Sequence, residues 1–350
     1  MRFATELSVS PRFVALASHV FHLPSYPMNL LRTLALCGFS LCAGVVVPAA
    51  SDAYLFAYFT RNGEDGLHLA TSADGYTWEK LAGGASVLRP TVGSKERLMR
   101  DPSIARGPDG TFHLVWTSGW WERGIGYAST KDFIHWSEPR EIPVMAHEPT
   151  ARNAWAPEII WDPDRAEFLI FWATTIPGRF TAEAGKSEDG LDHRIYFTAT
   201  KDFTNFTRAE VLLDPGFSCI DATLLKVDRE WHLFVKDETR FPTPAKNFLH
   251  ARATSARGPF TQLSAPFSPS GLWVEGPSVV RIGQEFLLYF DAYTTKHYGV
   301  LRSRDLTHWE DATPQLHLPD EGTPLRPRHG TVIAVPRQIV SDLQALRPAP

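Results

Sequence analysis

SADGYTW (Ser72–Trp78) is the first of five copies of one short phrase, and their spacing decides the fold. The others are STKDFIHW (Ser129–Trp136), TKDFTNF (Thr200–Phe206), SARGPF (Ser255–Phe260) and SRDLTHW (Ser303–Trp309). Their closing aromatics, Trp78, Trp136, Phe206, Phe260 and Trp309, stand 58, 70, 54 and 49 residues apart. Each copy reads as a turn between two strands. A small hydroxyl residue comes first, then an Asp or Gly that tolerates the bend, then an aromatic that opens the next strand. Short strand-like runs repeated at a period of about 50 residues are the signature of a β-propeller with one repeat per four-stranded blade. The chain is therefore expected to be all-β, a five-bladed propeller.

A second repeat runs out of phase with the first. DPSIARGPDGTFHLVWT (Asp101–Thr117) has the form of an apolar strand, a turn and an alternating strand. That form returns as APEIIWDPDRAEFLIFWAT (Ala156–Thr174), DATLLKVDREWHLFVKD (Asp221–Asp237) and EGPSVVRIGQEFLLYFD (Glu275–Asp291). A fifth copy begins at HGTVIAV (His329–Val335), and its missing partner is read as YLFAYFT (Tyr54–Thr60). Pairing those two runs would close the ring and cover strand edges that are otherwise a liability.

The short first strand of each repeat suits the innermost position of a blade. It opens with Asp101, Asp221, Glu275 or His329 in four repeats; in the other the corresponding residue is Ala156, with Glu158 two residues on. Taken singly, each has an ordinary explanation as a turn cap or a loop charge. Together they would point at one axis, gathering three carboxylates and an imidazole in one pocket. Such crowding costs stability and perturbs pKa values, which suits catalysis better than structure.

If the first strand starts at the mouth of the axis, the second returns to the same face, and the loops after it form the rim. These loops are TSGWWERG (Thr117–Gly124), ATTIPGRF (Ala173–Phe180), KDETRF (Lys236–Phe241) and DAYTTKHYG (Asp291–Gly299). Trp120 and Trp121 have no evident core role there; next to carboxylates they suit a sugar, which stacks its C–H face on aromatic rings. The polar stretch Thr181–Asp192 reads as an insertion on the same rim, which accounts for the 70-residue step.

Read in order, Arg100-Asp101-Pro102, Trp155-Ala156-Pro157, Ile220-Asp221-Ala222, Glu275-Gly276-Pro277 and His329-Gly330 resemble glycoside hydrolase family 43 from about Tyr54 to Val335. The resemblance implies a five-bladed propeller acting on arabinofuranosides or xylosides, with Asp101 as general base, Glu275 as general acid and Asp221 as the carboxylate that orients and tunes the acid. It also implies a sugar site beside Trp155. Glu158, where the family carries an Asp, is taken as a sugar contact. His329 matches a histidine that holds an axial metal ion or its waters in several members, although the bond-breaking chemistry requires no cofactor. Arg100, beside the base, is read as a partner of Asp101 or of a sugar hydroxyl. An inverting glycosidase needs its acid and base roughly 6.5–9.5 Å apart with a water between, a separation that acids on different blades supply. The expected activity is removal of a terminal pentofuranose, α-L-arabinofuranose foremost, from plant oligosaccharide or polysaccharide. β-Xylosidase and β-galactofuranosidase remain alternatives within the fold, and a non-catalytic sugar-binding propeller is the alternative outside it.

Composition agrees with a globular enzyme. The 350 residues are 43% hydrophobic, enough for a large core. The net charge of −4 argues against a nucleic-acid partner. From Met28 the run MNLLRTLALCGFSLCAGVVVPAASDA has the short basic start, apolar stretch and small residues of a secretory signal, with cleavage near Ala49–Ala53. Residues 1–27 then read as an upstream extension, 28–49 as the signal, 50–340 as the catalytic propeller and 341–350 as a tail. The mature protein is expected to be secreted or periplasmic, with no membrane association. Cys37 and Cys42 fall inside the signal, so Cys219 alone would remain and is read as a packing residue.

Overall fold

The computed structural model describes residues 53–180 and 185–346. The expected upstream extension and signal, residues 1–49, lie outside them, as do residues 181–184 of the insertion. The described residues form five sheets. The first contains β1 (Ala53–Phe59), β2 (His68–Ser72) and β3 (Glu79–Lys80). The second contains β4 (Arg100–Arg106), β5 (Phe112–Thr117), β6 (Ile125–Thr130) and β7 (Arg140–Ile142). The third contains β8 (Trp155–Asp162), β9 (Glu167–Thr175), β10 (His193–Thr200) and β11 (Glu210–Leu213). The fourth contains β12 (Cys219–Val227), β13 (Glu230–Asp237) and β14 (Phe248–Ala253). The fifth contains β15 (Glu275–Ile282), β16 (Glu285–Ala292), β17 (His297–Ser303) and β18 (Glu310–Asp311). β19 (Arg328–Val335) returns to the first sheet and pairs antiparallel with β1, Leu55 opposite Ile333. The inner strands β19, β4, β8, β12 and β15 pack each against the next, and β15 meets β19 again. That circuit is a five-bladed propeller.

The hydroxyl-Asp phrases are the turns that lead into the outer strands. In four of them the Ser or Thr hydroxyl accepts the backbone N–H three residues on, at Gly75, Phe133, Phe203 and Leu306. The following Asp accepts the next N–H groups; Asp202, for example, takes those of Thr204 and Asn205. In SARGPF Arg257 stands where the other copies have Asp, and this blade has three strands instead of the expected four. Downstream, Pro266 and Pro269 offer no donors to a ladder, and only scattered bonds such as Ser264 N–H to the His250 carbonyl tie the segment to β14.

The core lies between neighbouring blades, which is why the middle strands are apolar on both faces. Along β9, Phe168, Ile170 and Trp172 pack toward the second sheet, whereas Leu169, Phe171 and Ala173 pack toward the fourth. The period of two along a strand produces both contacts. Cys219 is a buried free thiol in the same layer, as expected, and burial pushes its pKa up. After β19 a helix, α1 (Arg337–Ala345), buries Ile339, Val340 and Leu343 in the layer containing Leu55 and Leu69. It crosses residue 340, where the sequence suggests that the propeller ends and a tail begins. No helix among the described residues is long and apolar enough to cross a membrane.

Candidate active site

The inner strands share one local distortion. In β4, β8, β12 and β15 the pairing register slips just after the first residues, between Arg100 and Ser103, Trp155 and Glu158, Ile220 and Thr223, and Glu275 and Ser278. At each slip one residue is left-handed: Asp101 (φ 52°), Ala156 (φ 46°), Asp221 (φ 52°) and Gly276 (φ 61°). Such bulges re-aim side chains and recur beside active sites. Here they bring Asp101 and Asp221 to one axial pocket. The equivalence read from sequence needs correcting by one residue, because Gly276, and not Glu275, corresponds to Asp101 and Asp221. Glu275 instead occupies the position of Arg100, Trp155 and Ile220. It still lines the pocket, because its side chain comes in from the next residue out.

The pocket holds about 180 Å³ and is lined by Arg100, Asp101, Thr117, Trp120, Trp155, Ala156, Glu188, Ile220, Asp221, Lys236, Glu238, Glu275, Tyr293 and His329. The loops after the second strands supply Trp120, Glu238 and Tyr293, as the antiparallel argument requires, and the insertion supplies Glu188. Trp121 stands outside the lining, 60% exposed, its ring 5.9 Å from that of Trp155. The Trp155 indole N–H donates to the Trp120 carbonyl at 2.7 Å, and Arg100 lies 4.4 Å over the Trp120 ring. Arg100 donates to Asn62 at 2.8 Å.

Asp101 is buried. One oxygen accepts from the Thr117 hydroxyl at 2.8 Å, and the other faces His329 Nδ1 at 3.3 Å. Burial alone would raise its pKa. The hydrogen bond and charge of His329, with Arg100 and Thr117, outweigh it and hold Asp101 far below the ordinary carboxylate range. Burial likewise opposes a charged His329, but Asp101, helped by Asp221 and Glu275, pushes the imidazole up to about 9. The two are an ion pair at neutral pH.

Asp221 and Glu275 behave differently. Both are raised, first of all by burial. For Glu275 the Asp291 charge adds to burial ahead of Asp221, while Lys236 and Arg328 oppose it. Asp221 accepts the Gly276 N–H at 3.1 Å. Arg328 donates to Glu275 at 2.9 Å and to the fully buried Asp291 at 2.9 Å. One enclosure thus holds a carboxylate that stays ionised beside carboxyls biased toward keeping a proton.

Glu158 is corrected by the structure: it does not line this pocket. It lies two residues past the left-handed Ala156, in a second axial cavity with Thr223 and Ser278. There it accepts from the Ser103 hydroxyl at 3.0 Å and from Thr223 at 3.5 Å, and burial raises it to about 7. For an axial metal beside His329, the imidazole Nδ1 is already engaged by Asp101, and among the described residues no three His, Cys, Asp or Glu side chains are placed to hold an ion together. No step is derived through such an ion.

Lys236, Glu238, Glu188 and Tyr293 are pocket residues that sequence reading did not single out. A signal existed for all four, since KDETRF, DAYTTKHYG and the insertion all lie on the predicted rim.

The model of a family described as a probable glycosyl hydrolase domain matches residues 50–340. An α-L-arabinofuranosidase of Bifidobacterium longum subsp. longum is 24% identical over an alignment 247 positions long, which covers 61% of this chain and 23% of that protein. The chain thus spans less than a quarter of the length of that relative. Among solved structures, a thermostable family-43 glycoside hydrolase is 16% identical with a TM-score of 0.47, covering 61% of this chain and 71% of its own. An α-L-arabinofuranosidase from Lactobacillus brevis is 18% identical with a TM-score of 0.46, covering 61% and 72%.

Proposed function

The chain belongs to that family of glycosyl hydrolases, related to family 43, and on this premise we propose that it is an inverting exo-glycosidase that removes terminal α-L-arabinofuranose from oligosaccharide or polysaccharide. The observation that carries this reading is the unequal state of the pocket's acids. Asp101 is held ionised by His329, while Glu275, across the axis, is biased toward its protonated form. An inverting hydrolysis uses one group of each kind. Asp101 takes a proton from the attacking water, Glu275 delivers one to the departing oxygen, and Asp221 steadies the Glu275 side of the site through its hold on the Gly276 N–H. The small pocket, about 180 Å³, suits one terminal sugar and not a long stretch of chain, which favours exo action. Trp120 and Trp155 offer it apolar faces. The pentofuranose preference is supported by the arabinofuranosidase relative.

Nitrophenyl furanosides and pyranosides test the substrate, and the anomer released, followed by NMR before mutarotation, tests inversion. Asp101→Ala should abolish turnover on every substrate. Glu275→Ala should lose far less on a dinitrophenyl glycoside, whose leaving group needs little protonation, than on a natural linkage. Equal losses on both, in folded protein, would remove Glu275 from the role of acid.

A further inference from the structure

A line of alternating charges runs from Glu275 to the rim. Lys236, next to last in β13, pairs with Ile220 in the ladder and so sits beside Asp221. Its side chain is 2% exposed, with Nζ 2.8 Å from Glu238, 3.7 Å from Glu275 and 4.7 Å over the Tyr293 ring. The other Glu238 oxygen takes Lys246, whose side chain is fully buried and which reaches Glu188 on the insertion at 2.7 Å. Burial alone would raise Glu238, but the two lysines hold it below its ordinary range, so it is a full negative charge at neutral pH. On the far side of Glu275, Arg328 is balanced in the same manner by Asp291.

Two cations on one carboxyl fix its position but also draw off its proton. A proton donor needs only the first effect. We propose that Glu238 is a positioning residue for the hydrolysis: by neutralising Lys236 it lets that ammonium hold Glu275 in place while the carboxyl keeps the proton it delivers. The inference rests on the reading of Glu275 as general acid. The charges acting on Glu275 are Lys236, Asp291, Asp221 and Arg328, with His329 also within its field. Burial foremost, with the charge of Glu275 adding to it, pushes Tyr293 and Tyr298 up, so they stay neutral through the working range. Of the cations, Lys236 and Arg328 touch Glu275, and each has its own carboxylate.

The test is the alkaline limb of the kcat/KM profile on a substrate with a poor leaving group, for Glu238→Gln, Lys236→Met and the double variant. Glu238→Gln should move the limb down by about one pH unit, the scale of an unbalanced charge at this range. Lys236→Met should move it up, and the double variant should return toward the parent, because the cation that needed balancing is gone. Glu238→Gln should lose less on a dinitrophenyl glycoside than on the poor leaving group. An unmoved limb, or an equal loss on both leaving groups with an unchanged melting temperature, overturns the proposal. If Glu238→Gln fails to fold, Lys236→Met decides alone, and a limb that does not rise overturns it. Glu275→Ala run alongside separates the two readings: equal losses there bring down the general-acid assignment, and this inference with it.

Discussion

Asp101 and His329 set each other's charge, and the pair makes two pH predictions. With Asp101 as the proposed base, which must be ionised to work, the acid limb of the profile should follow Asp101. His329→Gln removes the cation and lets Asp101 climb back toward 3.8, its ordinary value; kcat/KM measured below pH 5 should show the acid limb moving to higher pH. The same pair contributes to stability. His329 is raised, so its share is complete below 6.5 and disappears as the pH rises through about 9. Melting temperatures should therefore fall between those values by more in the parent than in His329→Gln. Gly276 shows why the acids were only partly legible in sequence. The left-handed backbone does not itself require glycine, since Asp101, Ala156 and Asp221 hold it with side chains. The imidazole does require it, because a Cβ there would lie 2.3 Å from His329 Cγ. Gly276→Ala should therefore displace His329 and cost activity beyond the ~1–3 kcal/mol of a strained site. Aligning the repeats by their acids placed Glu275 one residue out of register. Aligning Pro102, Pro157 and Pro277 would have placed it correctly.

The strand pattern was read more easily than the site because each turn carries its own chemistry. A hydroxyl and an Asp that cap backbone N–H groups are local facts, visible in a run of seven or eight letters. Asp202 is held to about 2, first by the Asn205 N–H, so what this turn contributes is present above 3.8 and is lost as the pH falls toward 2. Acid unfolding followed by circular dichroism should begin at higher pH in a Thr200→Val, Thr130→Val double variant, whose Asp turns have lost their first hydroxyl anchor. The irregular outer segment after Phe260 was not legible, because a missing strand leaves no periodic mark. Lys236 was legible only as a rim residue, because its approach to Glu275 arises when β13 is laid beside β12. Packing between strands has its own narrow tolerance. A Cβ on Gly126 would come within 1.9 Å of Trp116, a fully buried side chain. Gly126→Ala should thus cost about 1–3 kcal/mol in denaturant unfolding through overpacking.

At the scale of the whole molecule, function is a product of closure. No blade holds the pocket alone, because its carboxylates, guanidinium and imidazole arrive on β4, β12, β15 and β19. The helix after β19 secures the last of these by filling the layer behind β1. Leu343, fully buried there, should cost about 2–5 kcal/mol when cut to Ala, and pocket activity should fall with the folded fraction. The pairing of β19 with β1 also sets a clock. At roughly 5–20 residues per second of synthesis, β1 emerges and then waits roughly fifteen seconds to a minute for its partner, its apolar edge bare through the making of four other blades. His329 arrives on that partner, so Asp101 has no imidazole beside it until the ring is about to shut. A circular permutant joined from α1 to β1 and opened between Lys80 and Arg100 would turn the long-range pairing of β1 with β19 into a short-range one. Stopped-flow refolding of that permutant should be faster than that of the native order, with the hydrolytic rate of the finished ring unchanged.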